Sequence, residues 1–292
     1  MGMFEGALTA LVTPFREDRL DEKALRAIVA EQIEGGIDGL VPSGTTGESA
    51  SLSHDEYARL LEVVIDEARG RVPVIAGAGA ASTGHAIELA KIAQRLKADA
   101  VLVVAPYYYK PSPEGVFAHY AALARAVPLP IVLYNIPSRT GIDVSIATFE
   151  RLATISSIVA VKESTGNVLR SAELVTRFGN RFSVLSGDDS LTLPIMAVGG
   201  QGVISVASNV APREVSRQVD LFRAGDLAGA RKQHQRLSPL YEAMFIEPNP
   251  GSVKAALAMR GLITGELRLP FVAPGEAAAQ RIRKALVEVG VL

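Results

Sequence analysis

The feature that most constrains this chain is an alternation that runs from Gly6 to about Ala224, in which short apolar runs rich in Val, Ile and Ala are followed by longer amphipathic stretches. A short apolar run suits a strand buried on both faces, and a crossover helix between two such runs makes their strands parallel. Eight runs qualify, at residues 8–14, 39–43, 73–77, 100–105, 131–135, 159–163, 183–187 and 202–207. Between them, stretches such as 22–34, 54–69 and 84–96 space their apolar residues as a helix face does. Ser53 with Glu56 has the spacing of a capping box, and Ser82 before His85 marks a further N-cap. Eight consecutive parallel units close into a (β/α)8 barrel, whereas an open doubly wound sheet would have fewer strands and a nucleotide loop after the first. The expectation is a barrel over residues 1–224 and, in the same unit, a helical C-terminal extension over 225–292 with helices near 227–245, 253–260 and 276–289. Glu247-Pro248-Asn249-Pro250-Gly251 reads as a rigid turn between two of those helices, because proline fixes φ and cannot continue a helix.

Composition removes several classes of function. The 292 residues, 48% hydrophobic, are enough for one large core. Lys and Arg number 30 against 31 Asp and Glu, so no basic surplus exists to hold a nucleic-acid backbone. Cysteine is absent, which excludes disulfides, thiolate metal sites and a cysteine nucleophile together. Residues 1–10 have no basic leader, and no apolar stretch reaches the roughly 20 residues of a bilayer span. The expectation is a cytoplasmic protein with neither a nucleic-acid nor a membrane partner.

In a barrel, chemistry gathers at the C-terminal ends of the strands. The sixth run, in Ile158-Val159-Ala160-Val161-Lys162-Glu163, places a lysine near its end after apolar residues. Burial favours its neutral amine, the form that attacks a ketone. The alternative is a lysine that reaches solvent or pairs with Glu163. The fifth run ends in Leu133-Tyr134-Asn135 with Arg139 a few residues on, offering a phenol that can move protons and a planar fork for a carboxylate. Either could instead be structural. Ser43-Gly44-Thr45-Thr46-Gly47-Glu48-Ser49 after the second run can aim N–H groups at an anion, or be an ordinary glycine-rich turn. Tyr107-Tyr108-Tyr109 suggests an interface or a pocket wall. Of the histidines, His54 and His85 read as helix-start residues and His119 and His234 as helix-surface ones, so a metal-driven aldol route is disfavoured. Asp188-Asp189 reads as a helix cap in preference to a hard-cation site.

Together these motifs, with Pro106-Tyr107-Tyr108, Ser138-Arg139-Thr140-Gly141, Ser186-Gly187-Asp188-Asp189 and Glu247-Pro248-Asn249-Pro250, resemble the 4-hydroxy-tetrahydrodipicolinate synthases over the whole chain. The wider family, with N-acetylneuraminate lyase and the 2-keto-3-deoxy-sugar-acid aldolases, shares the glycine-threonine loop, the tyrosine and the lysine. Ser138-Arg139-Thr140-Gly141 is the narrower sign. The resemblance implies condensation of pyruvate with L-aspartate 4-semialdehyde in lysine and diaminopimelate biosynthesis, with no cofactor beyond a covalent Schiff base on Lys162. It implies Tyr134, Thr45 and Tyr108 as a proton relay, Thr46 on the pyruvate carboxylate, Arg139 on the aldehyde's carboxylate, and Gly187 and Ile204 lining the pocket. A homotetramer built as a dimer of tight dimers is also implied, with Tyr108 reaching a neighbouring subunit's site. Where relatives bind inhibitory lysine through an asparagine and a glutamate, this chain has Ala81 and His85, which implies feeble inhibition or none. The rivals are a sugar-acid lyase and a silent barrel that binds a keto acid.

Overall fold

The computed structural model describes residues 4–292, so Met1–Met3, the start of the segment inspected for a leader, lie outside the described residues. The strands are β1 (Gly6–Ala10), β2 (Phe15–Arg16), β3 (Arg19–Leu20), β4 (Gly39–Val41), β5 (Ile75–Gly77), β6 (Ala100–Val104), β7 (Ile131–Asn135), β8 (Ile158–Glu163), β9 (Ser183–Ser186) and β10 (Gly202–Ser205). All except β2 and β3 belong to one eight-stranded sheet in the order β4-β1-β10-β9-β8-β7-β6-β5. With helices between successive strands, this is the expected (β/α)8 barrel, followed by C-terminal helices at Leu227–Met244, Gly251–Met259 and Glu276–Val289. The eight expected runs match these strands to within a few residues. The antiparallel pair of β2 and β3 was not expected, since two residues per strand carry no periodicity to read.

The chain divides into two compact units, one holding residues 4–5 with Ile75–Ile204, the other Gly6–Val74 with Ser205–Leu292. In the first unit β5 to β9 pair in sequence and in parallel, and Gly202 and Val203 extend the ladder against Leu185 and Ser186. Their side chains are buried almost throughout, which is why these strands read as continuous apolar runs without a polar face. In the second unit β1 pairs in parallel with β4, from Leu8 with Gly39 to Ala10 with Val41.

Local signals hold where a specific hydrogen bond is at stake. Ser53 and Glu56 close the capping box of His54–Ala68, and Ser82 Oγ accepts the His85 N–H at 3.3 Å. His54 and His85 are exposed in first helical turns, as expected. His119 is not a surface residue. It is 3% exposed on Pro113–Ala126, its Nδ1 lies 3.0 Å from Thr83 Oγ1, and burial lowers its pKa to about 4. The error came from taking a polar residue for the solvent face, whereas a neutral imidazole with one hydroxyl contact packs as a flat core residue. His234 is half-buried. Among the described residues, no helix is long and apolar enough to cross a membrane.

Candidate active site

Tyr134 and Lys162 are register partners on β7 and β8, so their side chains leave the sheet on the same face. The Lys162 Nζ lies over the Tyr134 ring, 4.4 Å from its centroid, and both residues are buried. Burial lowers the Lys162 pKa to about 8, against the Asp189 charge, which favours the ammonium, and with the Arg139 charge, which disfavours it. A large fraction of the amine is therefore neutral near pH 8, and a neutral, rigidly held amine is a nucleophile.

Glu163 does not pair with Lys162, because strand alternation turns it to the opposite face. There it meets its own register partner Asn135, whose Nδ2 donates to Glu163 Oε2 at 3.1 Å and to Asp143 Oδ1 at 2.9 Å. Thr165 N donates to the other Glu163 oxygen at 2.8 Å, and Arg170 Nε approaches Oε2 at 3.7 Å. Burial pushes the Glu163 pKa up, while these neighbours oppose the rise. The network anchors the ends of β7 and β8, and so the two side chains on the other face.

Gly187 follows β9 directly, and its lack of a side chain is what leaves room for the lysine. A Cβ there would collide with Ser164 Oγ and stand 3.0 Å from Lys162 Cε. Asp188 caps the next turn through Ser190 N at 2.9 Å, as its position suggested. Asp189 is different: it is 1% exposed and close enough for its charge to act on Lys162. Sequence reading missed it because two adjacent aspartates look alike until the backbone assigns one to a cap and the other to the interior. Arg139 lies exposed on the short helix Pro137–Thr140. Ile204 is fully buried in β10. Tyr108 stands apart at 81% exposure, with a φ of 73° and its ring edge-on to Tyr109 at 5.4 Å.

The hydroxyl loop is in the other unit. It leaves β4 through Ser43 and ends at Glu48, both with positive φ, and is tightened by Gly47 N to Gly44 O at 3.1 Å and Glu48 N to Thr45 O at 3.1 Å. A Cβ on Gly47 would stand 2.9 Å from Ser43 N and 3.1 Å from Leu11 O, so glycine is needed for the turn to close. Thr46 is buried and Thr45 half-buried. Glu48 is also buried, paired with Lys254. Lys254 is a second interior lysine that its helical context concealed in the sequence.

The model of the dihydrodipicolinate synthetase family matches residues 3–289. The chain belongs to this family. It is 50% identical over 290 residues, 99% of this chain and 100% of the relative, to the 4-hydroxy-tetrahydrodipicolinate synthase of Syntrophus aciditrophicus (strain SB). Among solved structures, it superposes at a TM-score of 0.96 and 42% identity on the chloride-inhibited dihydrodipicolinate synthase of Acinetobacter baumannii complexed with pyruvate, covering 99% of each chain. The lysine-bound enzyme of Cyanidioschyzon merolae gives 0.96 at 40% identity, covering 100% of both chains. Membership in the dihydrodipicolinate synthetase family agrees with the resemblance carried by the motifs, and the barrel is the fold of these relatives.

Proposed function

We propose that this chain condenses pyruvate with L-aspartate 4-semialdehyde to give 4-hydroxy-tetrahydrodipicolinate, through a Schiff base on Lys162. The observation that carries the reading is the buried, partly neutral Lys162 amine held over Tyr134 at 4.4 Å. The amine adds to the keto carbon and water leaves. The resulting iminium draws electrons from C3, which loses a proton to become an enamine, and the enamine attacks the aldehyde carbon. The aldehyde substrate's own amine then displaces Lys162 by transimination, closing the ring and freeing the enzyme. No dissociable cofactor takes part.

The remaining roles rest on the family resemblance. Tyr134 moves protons with Thr45 and Tyr108, Thr46 and the loop N–H groups hold the pyruvate carboxylate, Arg139 holds the carboxylate of the aldehyde, and Gly187 and Ile204 line the pocket. The working enzyme in this reading is a cytoplasmic homotetramer, a dimer of tight dimers, whose chain is a barrel over 1–224 with a helical extension over 225–292. Turnover of pyruvate with L-aspartate 4-semialdehyde, run beside N-acetylneuraminate and 2-keto-3-deoxygluconate, tests the substrate. Cleavage of either sugar acid at a comparable rate would overturn it.

Arg139→Ala separates the two substrates. Use of the aldehyde is expected to fall at least about tenfold in kcat/KM, since a charge-assisted contact is lost. Pyruvate imine formation persists, but its pH profile moves to higher pH, because a cation that lowers the Lys162 pKa has gone. An unshifted profile, or equal loss of both half-reactions, would contradict these assignments. The exposed, positive-φ Tyr108 suits a residue that acts across a subunit boundary. Mixing Tyr108→Phe subunits with Lys162→Ala subunits is expected to restore activity in hybrids, and hybrids without rescue would exclude action in trans. Ala81 offers no hydrogen-bonding side chain and the exposed His85 no carboxylate, so activity is expected to survive millimolar L-lysine. Near-complete inhibition below a millimolar would refute this.

A further inference from the structure

The hydroxyl loop after β4 is gripped by the C-terminal part of the chain at two residues, Thr46 and Glu48. Asn249 Nδ2 donates to Thr46 Oγ1 at 3.0 Å, with both residues buried. Two positions further on, the Glu48 carboxylate accepts from Lys254 Nζ and from Arg268 N, the latter at 3.0 Å. Thr13 Oγ1 donates to the intervening Gly47 O at 2.7 Å. Asn249 is itself held firmly. Pro248 and Pro250 fix the backbone on either side, Gly251 N donates to Pro248 O at 2.9 Å, and Lys254 N donates to Pro250 O at 3.0 Å.

The direction of the Asn249 bond matters for chemistry. A threonine hydroxyl has one proton and two lone pairs. An amide N–H from Asn249 occupies a lone pair and leaves the proton to be donated elsewhere, and a hydroxyl that accepts one hydrogen bond is a stronger donor in the next. An acceptor at residue 249 would have the opposite effect and capture the proton.

We propose that Asn249 is a positioning residue that sets the direction of the Thr46 hydroxyl, so that its proton is presented to the carboxylate of the keto acid. The inference rests on the assignment of Thr46 as the pyruvate-carboxylate ligand. It gives the Glu247-Pro248-Asn249-Pro250 turn a part in substrate affinity that its reading as a simple connector did not include.

The decisive variant is Asn249→Asp, which keeps the shape of the side chain and replaces its donor with an acceptor. Pyruvate KM is expected to rise at least about tenfold at pH 8, with kcat at saturating pyruvate and the KM of the aldehyde within about twofold of the parent. Asn249→Ala, which neither donates nor accepts, is expected to raise pyruvate KM only about threefold. A residue that merely held the turn would give the reverse order, because the aspartate preserves packing and the alanine does not. As pH falls and the new carboxyl takes a proton, it regains a donor, so the pyruvate KM of Asn249→Asp, relative to the parent at the same pH, is expected to recover. In a Thr46→Val background, Asn249→Asp is expected to add less than about twofold.

An Asn249→Asp effect no larger than that of Asn249→Ala, with Thr46→Val itself raising pyruvate KM, overturns the role of Asn249 alone. Thr46→Val with an unchanged pyruvate KM overturns the Thr46 assignment and this inference with it. Melting curves establish that each variant is folded. If Asn249→Asp does not fold, Asn249→Ala decides, and an unchanged pyruvate KM in that variant is fatal.

Discussion

Borohydride reduction in the presence of pyruvate is expected to attach one three-carbon unit per subunit at Lys162, and none at Lys254 or Lys110. Lys162 and Lys254 are both buried and both have their pKa lowered by burial, so depth alone does not choose between them. Their neighbours do. Lys254 is paired with Glu48, donates to Glu266 O at 2.7 Å and lies 4.4 Å from the Phe15 ring centroid, an arrangement that favours the ammonium. Lys162 has the Tyr134 ring, the influence of Asp189 at a distance, and the space that Gly187 leaves beside its stem. Since the neutral amine is the reacting form, imine formation is expected to rise with pH through about 8 and then level off. Lys162→Ala is expected to lose at least about a thousandfold in kcat. Peptide mass mapping reads the adduct, and a label on Lys110 or Lys254, or none anywhere, would remove the mechanism. Asp189→Asn supplies a further check, for it is expected to move the imine pH profile to lower pH by removing a charge that favours the ammonium.

How much of this was legible in the sequence depended on whether a residue's environment is written in its immediate neighbours. Lys162 could be found because apolar strand residues precede it, and Tyr134 because it lies next to the end of the preceding strand of the same kind. Glu163 was considered as a lysine partner, yet strand alternation sends it to Asn135 and Arg170. Asp189 differs from Asp188 only in where the backbone turns after β9. Asn249 was visible as a turn residue, but its bond to Thr46 spans 203 positions, and nothing local encodes such a contact. Lys254 was hidden for the same reason. It sits in a helical pattern where a lysine normally faces water, and partners distant in sequence, Glu48 above all, account for its complete burial.

That buried pair predicts the largest stability effect. Lys254 and Glu48 have fully buried side chains, and around them Arg268 lies 4.2 Å from the Phe15 ring centroid and bonds Glu56, whose pKa its guanidinium holds down to about 2. Lys254→Met removes the ammonium and leaves the Glu48 carboxylate in the interior, still accepting from the Arg268 N–H at 3.0 Å. A buried charge that loses its counter-ion costs about 3–5 kcal/mol, so Lys254→Met is expected to destabilise the protein by that order in denaturant unfolding. The loss reflects the stranded carboxylate more than the worth of the pair, because desolvation of two charges offsets much of their attraction. Glu48→Gln combined with Lys254→Met is therefore expected to be more stable than Lys254→Met alone by about 2 kcal/mol, since a neutral amide is left in place of the ion. Salt is expected to change the cost little, in contrast to the exposed Arg59–Glu22 pair, because screening does not reach a buried group. Glu48 also ends the loop that carries Thr46, so releasing it from Lys254 frees the loop as well as weakening the fold. Lys254→Met is expected to raise pyruvate KM at temperatures where it is still folded. A variant that melts early but binds pyruvate as the parent does would show that the pair supports the fold without tuning the loop.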